Sequence, residues 1–194
     1  HSFPTRRSSD LHGLDLRHTP SVETFARHLE EHLPTLDFIV HNACQTVRRP
    51  PGFYGHLVDG ERESTALPAH AESLVAAHEA WKRADSADAL ATRGDVPQLL
   101  EAAGIHHAAA LTQLPLVAGD EDRSAALFPP DELDKDLQQR DLRDENSWRL
   151  RLADVPTVEL LEVQLVNAIA PFVLNARLKA LMTRTRTGDK HIVN

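Results

Sequence analysis

Apolar positions fall into three patterns along the chain. Val22, Phe25, Ala26, Leu29 and Leu33 recur at three- and four-residue steps, which places them on one side of an α-helix. Thr19, Pro20 and Ser21 open that helix, with Ser21 as the expected N-cap, and Pro34 ends it. Leu36-Asp37-Phe38-Ile39-Val40 is short, β-branched and of strand length, and Leu14-Asp15-Leu16 reads as the end of an earlier strand. Strand, helix and strand in so short a stretch make a βαβ unit, whose strands run parallel.

The third pattern is denser. From Thr157 to Met182 apolar residues leave almost no polar face. A helix that is apolar nearly all round is buried against a sheet or a subunit partner. Pro156 stands where a helix start tolerates proline. Pro171 stands inside, and it has no N–H for the carbonyl of Asn167 four residues back. The sequence therefore predicts a kink at Asn167 and a carbonyl released from the helix ladder. That carbonyl either meets water at a plain packing kink or binds something else. After Gly188, His191-Ile192-Val193-Asn194 reads as a further strand. The expected parallel strands are near residues 12–16, 36–41 and 190–194.

Between these parts, about residues 45–153 read as a large, mainly helical insertion. Arg48-Arg49-Pro50-Pro51-Gly52 opens it as a loop, and Ala69–Ala84 is an Ala-rich helix carrying Leu74, Ala77, His78 and Trp81 along one side. Val96–Ala103 and His106–Leu114 read as shorter helices. Asp131–Ser147 is highly charged and reads as a solvated helix or a disordered segment. Trp81 and Trp148 are expected to anchor packing. His1–Leu11 (HSFPTRRSSDL) has no structural period and no apolar signal region. It resembles the translated read of a sequencing adapter, so residues 1–11 are set aside as a leader and 12–194 are read as the domain.

Composition narrows the function classes. The 194 residues are 41% hydrophobic, with 21 Lys and Arg against 29 Asp and Glu, a formal net charge of −8. An acidic chain with no basic cluster is a poor nucleic-acid binder. No run of eighteen apolar residues is free of charge, which rules out a membrane span. Cys44 is the only cysteine, so an intrachain disulfide and a Cys-based zinc finger are excluded. His28-Leu29-Glu30-Glu31-His32 matches H-x-x-E-H, a zinc-hydrolase pattern. Both histidines fall on the flank of their helix, toward solvent, and lack a convincing third ligand, so no metal is assigned. His70, His78, His106 and His107 read as surface or boundary residues. Arg48-Arg49 would suit a phosphate only if folded back toward one.

Asp15-Leu16 after a strand, His41-Asn42-Ala43-Cys44 after Leu36–Val40, and Asn167-Ala168-Ile169-Ala170-Pro171-Phe172 before His191–Asn194 together resemble the middle of a short-chain dehydrogenase/reductase. The resemblance spans about Leu14–Ala43 and Val155–Asn194. It implies an α/β fold, a partial Rossmann-like doubly wound parallel sheet. It also implies an NAD- or NADP-dependent oxidoreductase of an alcohol or carbonyl substrate, located in the cytoplasm, with pairing of copies through buried helices. By the same resemblance Asp15 and Leu16 lie near the cofactor's adenine, and Asn42 and Ala43 line the cofactor at a strand end. Asn167 becomes the catalytic asparagine, whose main-chain carbonyl holds a proton-relay water.

The match has gaps. The glycines at 13, 52, 55, 60, 94, 104, 119 and 188 make no Gly-x-x-x-Gly-x-Gly turn for a pyrophosphate. Tyr54 is the only tyrosine and has Val58, not lysine, four residues on. The expectation is a fragment of such an enzyme, inactive as this chain. The alternatives are a helical interaction protein that keeps part of a Rossmann core, and a metal hydrolase using His28 and His32. The stretch Cys44–Tyr54 is expected at the mouth of the pocket.

Overall fold

A computed structural model describes residues 9–62, 67–91, 104–135, 137–144 and 147–194. Helix α1 (Thr19–His32) carries the first apolar stripe, with Val22 and Ala26 buried. Its cap is His18, not Ser21. The imidazole Nδ1 accepts the Ser21 N–H at 3.3 Å and lies 2.6 Å from Ser21 Oγ. Thr19 and Pro20 then fill the first turn, where a missing N–H costs nothing. Gly104 backs this cap so closely that a Cβ there would collide with Ser21 Oγ and His18 Nδ1. Gly104→Ala is therefore expected to destabilise the fold by about 1–3 kcal/mol, read as a lower urea midpoint at unchanged slope.

Strands β1 (Phe38–Val40) and β2 (His191–Val193) pair in parallel, with Phe38 opposite His191, Ile39 opposite Ile192 and Val40 opposite Val193. The ladder continues at both ends through His191 N–H to Asp37 C=O (3.0 Å) and His41 N–H to Val193 C=O (2.8 Å). Ile39 turns inward onto the cluster of Ala26, Leu178 and Leu181, which Leu29, Leu33 and Leu36 also border. Phe38 and Val40 point the other way and are exposed. All three residues of β2 are exposed as well, so among the described residues the sheet is covered only beneath Ile39.

The third expected strand, near 12–16, is not formed. Leu14–Leu16 is coil leading into a turn. A strand needs a neighbouring ladder, and these residues spend their polar groups otherwise. Leu11 N–H bonds Leu74 C=O at 2.7 Å, and the Asp15 carboxylate receives Arg17 N–H at 2.9 Å. The fold is thus mixed α/β with a two-stranded parallel sheet.

Between residues 45 and 153 the described residues form α2 (Gly55–Arg62), α3 (Ala69–Ala91) and the single turn α4 (Ala108–Leu111). The helix expected over Val96–Ala103 lies outside the described residues. The one expected over His106–Leu114 is shorter than its apolar pattern. The charged stretch from Asp131 is built of turns and one antiparallel bridge, Leu133 to Gln139, with Asp131 and Leu137 in left-handed backbone at φ 62° and 58°. Trp81 is buried as expected, but Trp148 is exposed.

The apolar C-terminal pattern folds as one helix from Thr157 to Thr183 in three parts. These are α5 (Thr157–Gln164), a π-turn (Leu165–Ile169) and α6 (Ala170–Thr183). The register changes where Pro171 withholds its N–H, and Ala170 N–H reaches back five residues to Leu165 C=O. The extra residue takes back roughly 100° of rotation. That puts Glu159, Glu162 and Val166 on the same side as Val173, Leu178 and Leu181, all buried except for polar rims.

The opposite side is not covered. Leu160, Leu161, Ile169 and Phe172 are exposed, Phe172 to 72%. The expected all-round burial is therefore half met. By length and mean hydropathy alone this helix is long enough to cross a bilayer. Its inner side packs on α1, Glu162 pairs with Arg17 and Arg48, and Glu159 accepts the Arg48 N–H, as in a core helix of a folded domain.

Candidate functional site

Beyond the carboxyl end of β1 the chain runs His41-Asn42-Ala43-Cys44-Gln45 over the middle of the C-terminal helix. His41 Nε2 lies 2.8 Å from Asn175 Oδ1. Asn167 fixes the next step. Its Oδ1 accepts the Gln45 N–H at 2.8 Å and its Nδ2 donates to the Gln45 C=O at 2.7 Å. A side-chain amide thus pairs with one residue's backbone as a neighbouring strand would. The π-turn presents Asn167 there, in keeping with the use of such bulges to aim side chains. Asn167→Ala removes both bonds. The expected cost is about 1–2 kcal/mol, seen as roughly tenfold faster hydrogen exchange at the Gln45 amide with the core amides unchanged. Asn167→Asp keeps the acceptor and should lose about half of that protection.

Below this junction lies a chain of buried charges. The Asp15 carboxylate takes the Arg17 guanidinium at 2.7–3.2 Å, and Arg17 Nη1 continues to Glu162 Oε1 at 2.7 Å. The other oxygen of Glu162 lies 2.6 Å from Arg48 Nε, an ion-pair contact bent away from hydrogen-bond geometry. Arg48 grips both oxygens of Asp120 at 2.8 and 2.6 Å. Asp120 also receives the N–H groups of Leu116 and Val117 at 2.7 and 3.0 Å. Glu159 accepts Arg48 N–H at 3.1 Å and the Ser147 hydroxyl at 2.8 Å. Burial pushes the Asp120 carboxyl up, but Arg48 and the two amides outweigh it and hold it below the usual range. This network ties the insertion at Arg48, Asp120 and Ser147 to the helix that carries Asn167.

Two hollows flank the junction. The larger, about 470 Å³, has Cys44, Gln45, Tyr54, His56 and Trp148 among its walls. The smaller, about 370 Å³, brings Asp15, Leu16 and Arg17 to Gln45 and Tyr54. Tyr54 and Gln45 line both. Cys44–Tyr54 therefore does border a pocket, with the Cys44 thiol exposed. Burial pushes the Tyr54 hydroxyl above its ordinary pKa, the reverse of what a phenolate base needs.

The expected site residues are only partly assembled. Asp15 and Leu16 share the smaller hollow; Asn42 and Ala43 stand exposed at the end of β1 and line neither hollow; Asn167 reaches the junction between them. A dinucleotide is not accommodated by these residues alone. The Asp15 carboxylate is occupied by Arg17, and no glycine-rich turn offers backbone N–H groups to a pyrophosphate. Arg48 and Arg49 do not await a phosphate either, since Arg48 holds Asp120 and Arg49 pairs with Asp141 at 3.2 Å. Among the described residues no group of three or more metal-ligating side chains converges, at His28 and His32 or elsewhere.

Glu159, Glu162 and Asp120 escaped the sequence reading. The legible sign was a pair of carboxylates three residues apart in a largely apolar helix, a spacing that puts both on one side. Compared with protein-family models, curated proteins and solved structures, the chain matches none.

Proposed function

We propose that these residues belong to an NAD- or NADP-dependent oxidoreductase of the short-chain dehydrogenase/reductase type, acting on an alcohol or carbonyl substrate. We also propose that the 194 residues alone do not turn substrate over. One observation supports this most. Asn167, in the π-turn just before Pro171, is clamped to the backbone just after the Asn42-Ala43 strand end. Open parallel sheets bind ligands at the carboxyl ends of their strands, and this junction lies at that end of β1. In this reading Asn167 supplies a main-chain carbonyl to hold water, and Leu16, Asn42 and Ala43 face the cofactor. Asp15 joins them only after releasing Arg17. The larger hollow, with Trp148 and Tyr54, takes the substrate.

The reading requires a glycine-rich phosphate turn and a Tyr-x-x-x-Lys pair, neither of which these residues contain. The test is the genomic reading frame around this segment. Its product is expected to contain both motifs and to oxidise or reduce small alcohols or carbonyls with NAD(P)(H). A native product that lacks them and binds no nicotinamide cofactor would sink the proposal. One observation favours a second reading, an interaction protein or self-association through the long helix. Leu160, Leu161, Ile169 and Phe172 form an exposed apolar face of the kind that marks contact surfaces. Sedimentation of the chain and of its Phe172→Glu variant tests self-association through that face, which the charge should abolish.

A further inference from the structure

The remaining cluster that no proposed activity uses lies where α3 meets α1. His28 of α1 stacks on Trp81 of α3, with centroids 4.6 Å apart and planes 21° apart. His12 stands edge-on to both, at 5.7 Å from His28 and 5.9 Å from Trp81. His78, one turn before Trp81, meets His12 at 5.6 Å and Trp81 at 5.9 Å. Phe25 closes the group at 5.3 Å from His12. The contact between the two helices is thus largely aromatic and imidazole. A backbone bond from Leu11 to Leu74 and the close approach of His78 Nε2 to Gly13 lie beside it.

The nitrogens decide what this cluster can sense. Nδ1 of His12 and Nδ1 of His78 are buried and have no hydrogen-bond partner. A neutral ring tolerates that loss at one lone pair. A protonated ring would bury an N–H of a cation with nothing to accept it, which is far costlier. We propose that α3 is held on α1 by a proton-released latch, in which His12, His28 and His78 close round Trp81 as neutral rings and open on acidification.

The surrounding charges fit a latch rather than a permanent ion pair. Asp10 faces His12, Glu31 and His32 face His28, and Glu79, Lys82 and His106 face His78. The three carboxylates favour protonation, but Glu79 is drawn off by Lys82 at 3.0 Å. Burial dominates at each ring, and the neighbouring imidazoles add to it at His28 and His78. All three therefore titrate below the ordinary histidine value of 6.5. The sign follows. Closing the latch is fully favoured above pH 6.5 and loses ground as pH falls below it, because the open form binds more protons. Two rings less than six ångströms apart cannot both carry charge cheaply, so opening takes up more than one proton. The segment released is His12-Gly13, which leads directly into Leu14–Leu16 of the smaller hollow. The latch does not depend on what that hollow binds.

Trp81 reports on it directly once Trp148→Phe leaves a single indole. Its emission is expected to move to the red between pH 7.5 and 5 while the far-ultraviolet helix signal holds. The open-to-closed ratio should rise about a hundredfold per pH unit if two protons enter. His78→Phe keeps an aromatic ring without a titrating nitrogen; with His12 and His28 still 5.7 Å apart, it should move the transition to lower pH and make it no steeper. His28→Gln, which leaves Trp81 unstacked, should give red-shifted emission already at pH 7.5, and serves if His78→Phe fails to fold. Emission unchanged down to pH 5 overturns the proposal. So does a shift that coincides with loss of helix signal, which would be global unfolding. Zinc ions that block the shift between pH 7.5 and 5 and raise the melting temperature at pH 7.5 would overturn it in favour of a metal site.

Discussion

Arg48→Ala is expected to cost about 3–5 kcal/mol of folding stability, a large part of the 5–15 kcal/mol typical of a domain. The guanidinium is buried between Asp120 and Glu162, with N–O distances of 2.6–2.8 Å. Deleting it does not return those carboxylates to water. Asp120 keeps two backbone N–H donors and Glu162 keeps Arg17, but each is left with one oxygen short of a cation. The penalty is that of an uncompensated buried charge, not that of one ion pair. Arg48→Met, which preserves the packed stem, should recover only a minor part of it. Replacing Arg48, Asp120 and Glu162 together by apolar residues of similar size should recover most. Arg140→Ala is the control. Arg140 pairs with Glu132 at 2.8 Å, but both side chains are about half exposed, and the expected loss is about 0–1 kcal/mol. Urea denaturation midpoints of the four proteins decide the matter. An Arg48→Ala loss no larger than that of Arg140→Ala would mean that water reaches the network and screens it.

The network also explains which parts of the fold were readable in advance. α1 and β1 follow from residues that act through their neighbours in sequence, so stripe, strand and terminating proline were legible. The break at Asn167 was legible for the same reason, since Pro171 lacks an N–H wherever it sits. The cap of α1 was misjudged because histidine is an uncommon cap, and its use depends on Gly104, over eighty residues away, leaving room. The strand near 12–16 failed because a strand is defined by a partner, and Asp15 found Arg17 instead, which in turn reaches Glu162. His28 looked solvent-facing on the wheel of its own helix, yet Trp81 of α3 covers it. Asp120 and Glu162 were illegible as a pair. Arg48 joins them across the insertion, and no local pattern encodes that contact. What sequence order conveys here is local geometry; the site is assembled by long-range charge pairing.

Pro171→Ala tests whether that pairing or the proline maintains the π-turn. A proline inside a helix costs about 3 kcal/mol relative to alanine, through the missing N–H and its ring clash. Alanine would give the Asn167 carbonyl a donor at position 171 and invite a plain α-register. That register would turn α5 by roughly 100° against α6, swinging Glu159 and Glu162 away from Arg48 and drawing Asn167 off Gln45. The lost charge pairing, about 3–5 kcal/mol, exceeds the helix gain. The π-turn should therefore persist in Pro171→Ala, with about 1 kcal/mol of stabilisation from relief of the clash and Gln45 amide protection unchanged. In an Arg48→Ala background much of the restraint is gone. There the same substitution should recover about 3 kcal/mol, and the Gln45 amide should lose protection as Asn167 rotates off. The difference between the two backgrounds, about 2 kcal/mol, is a coupling energy between residues that do not touch. Equal gains in both backgrounds, with Gln45 still protected, would show that Pro171 and not the buried charges holds Asn167 in place.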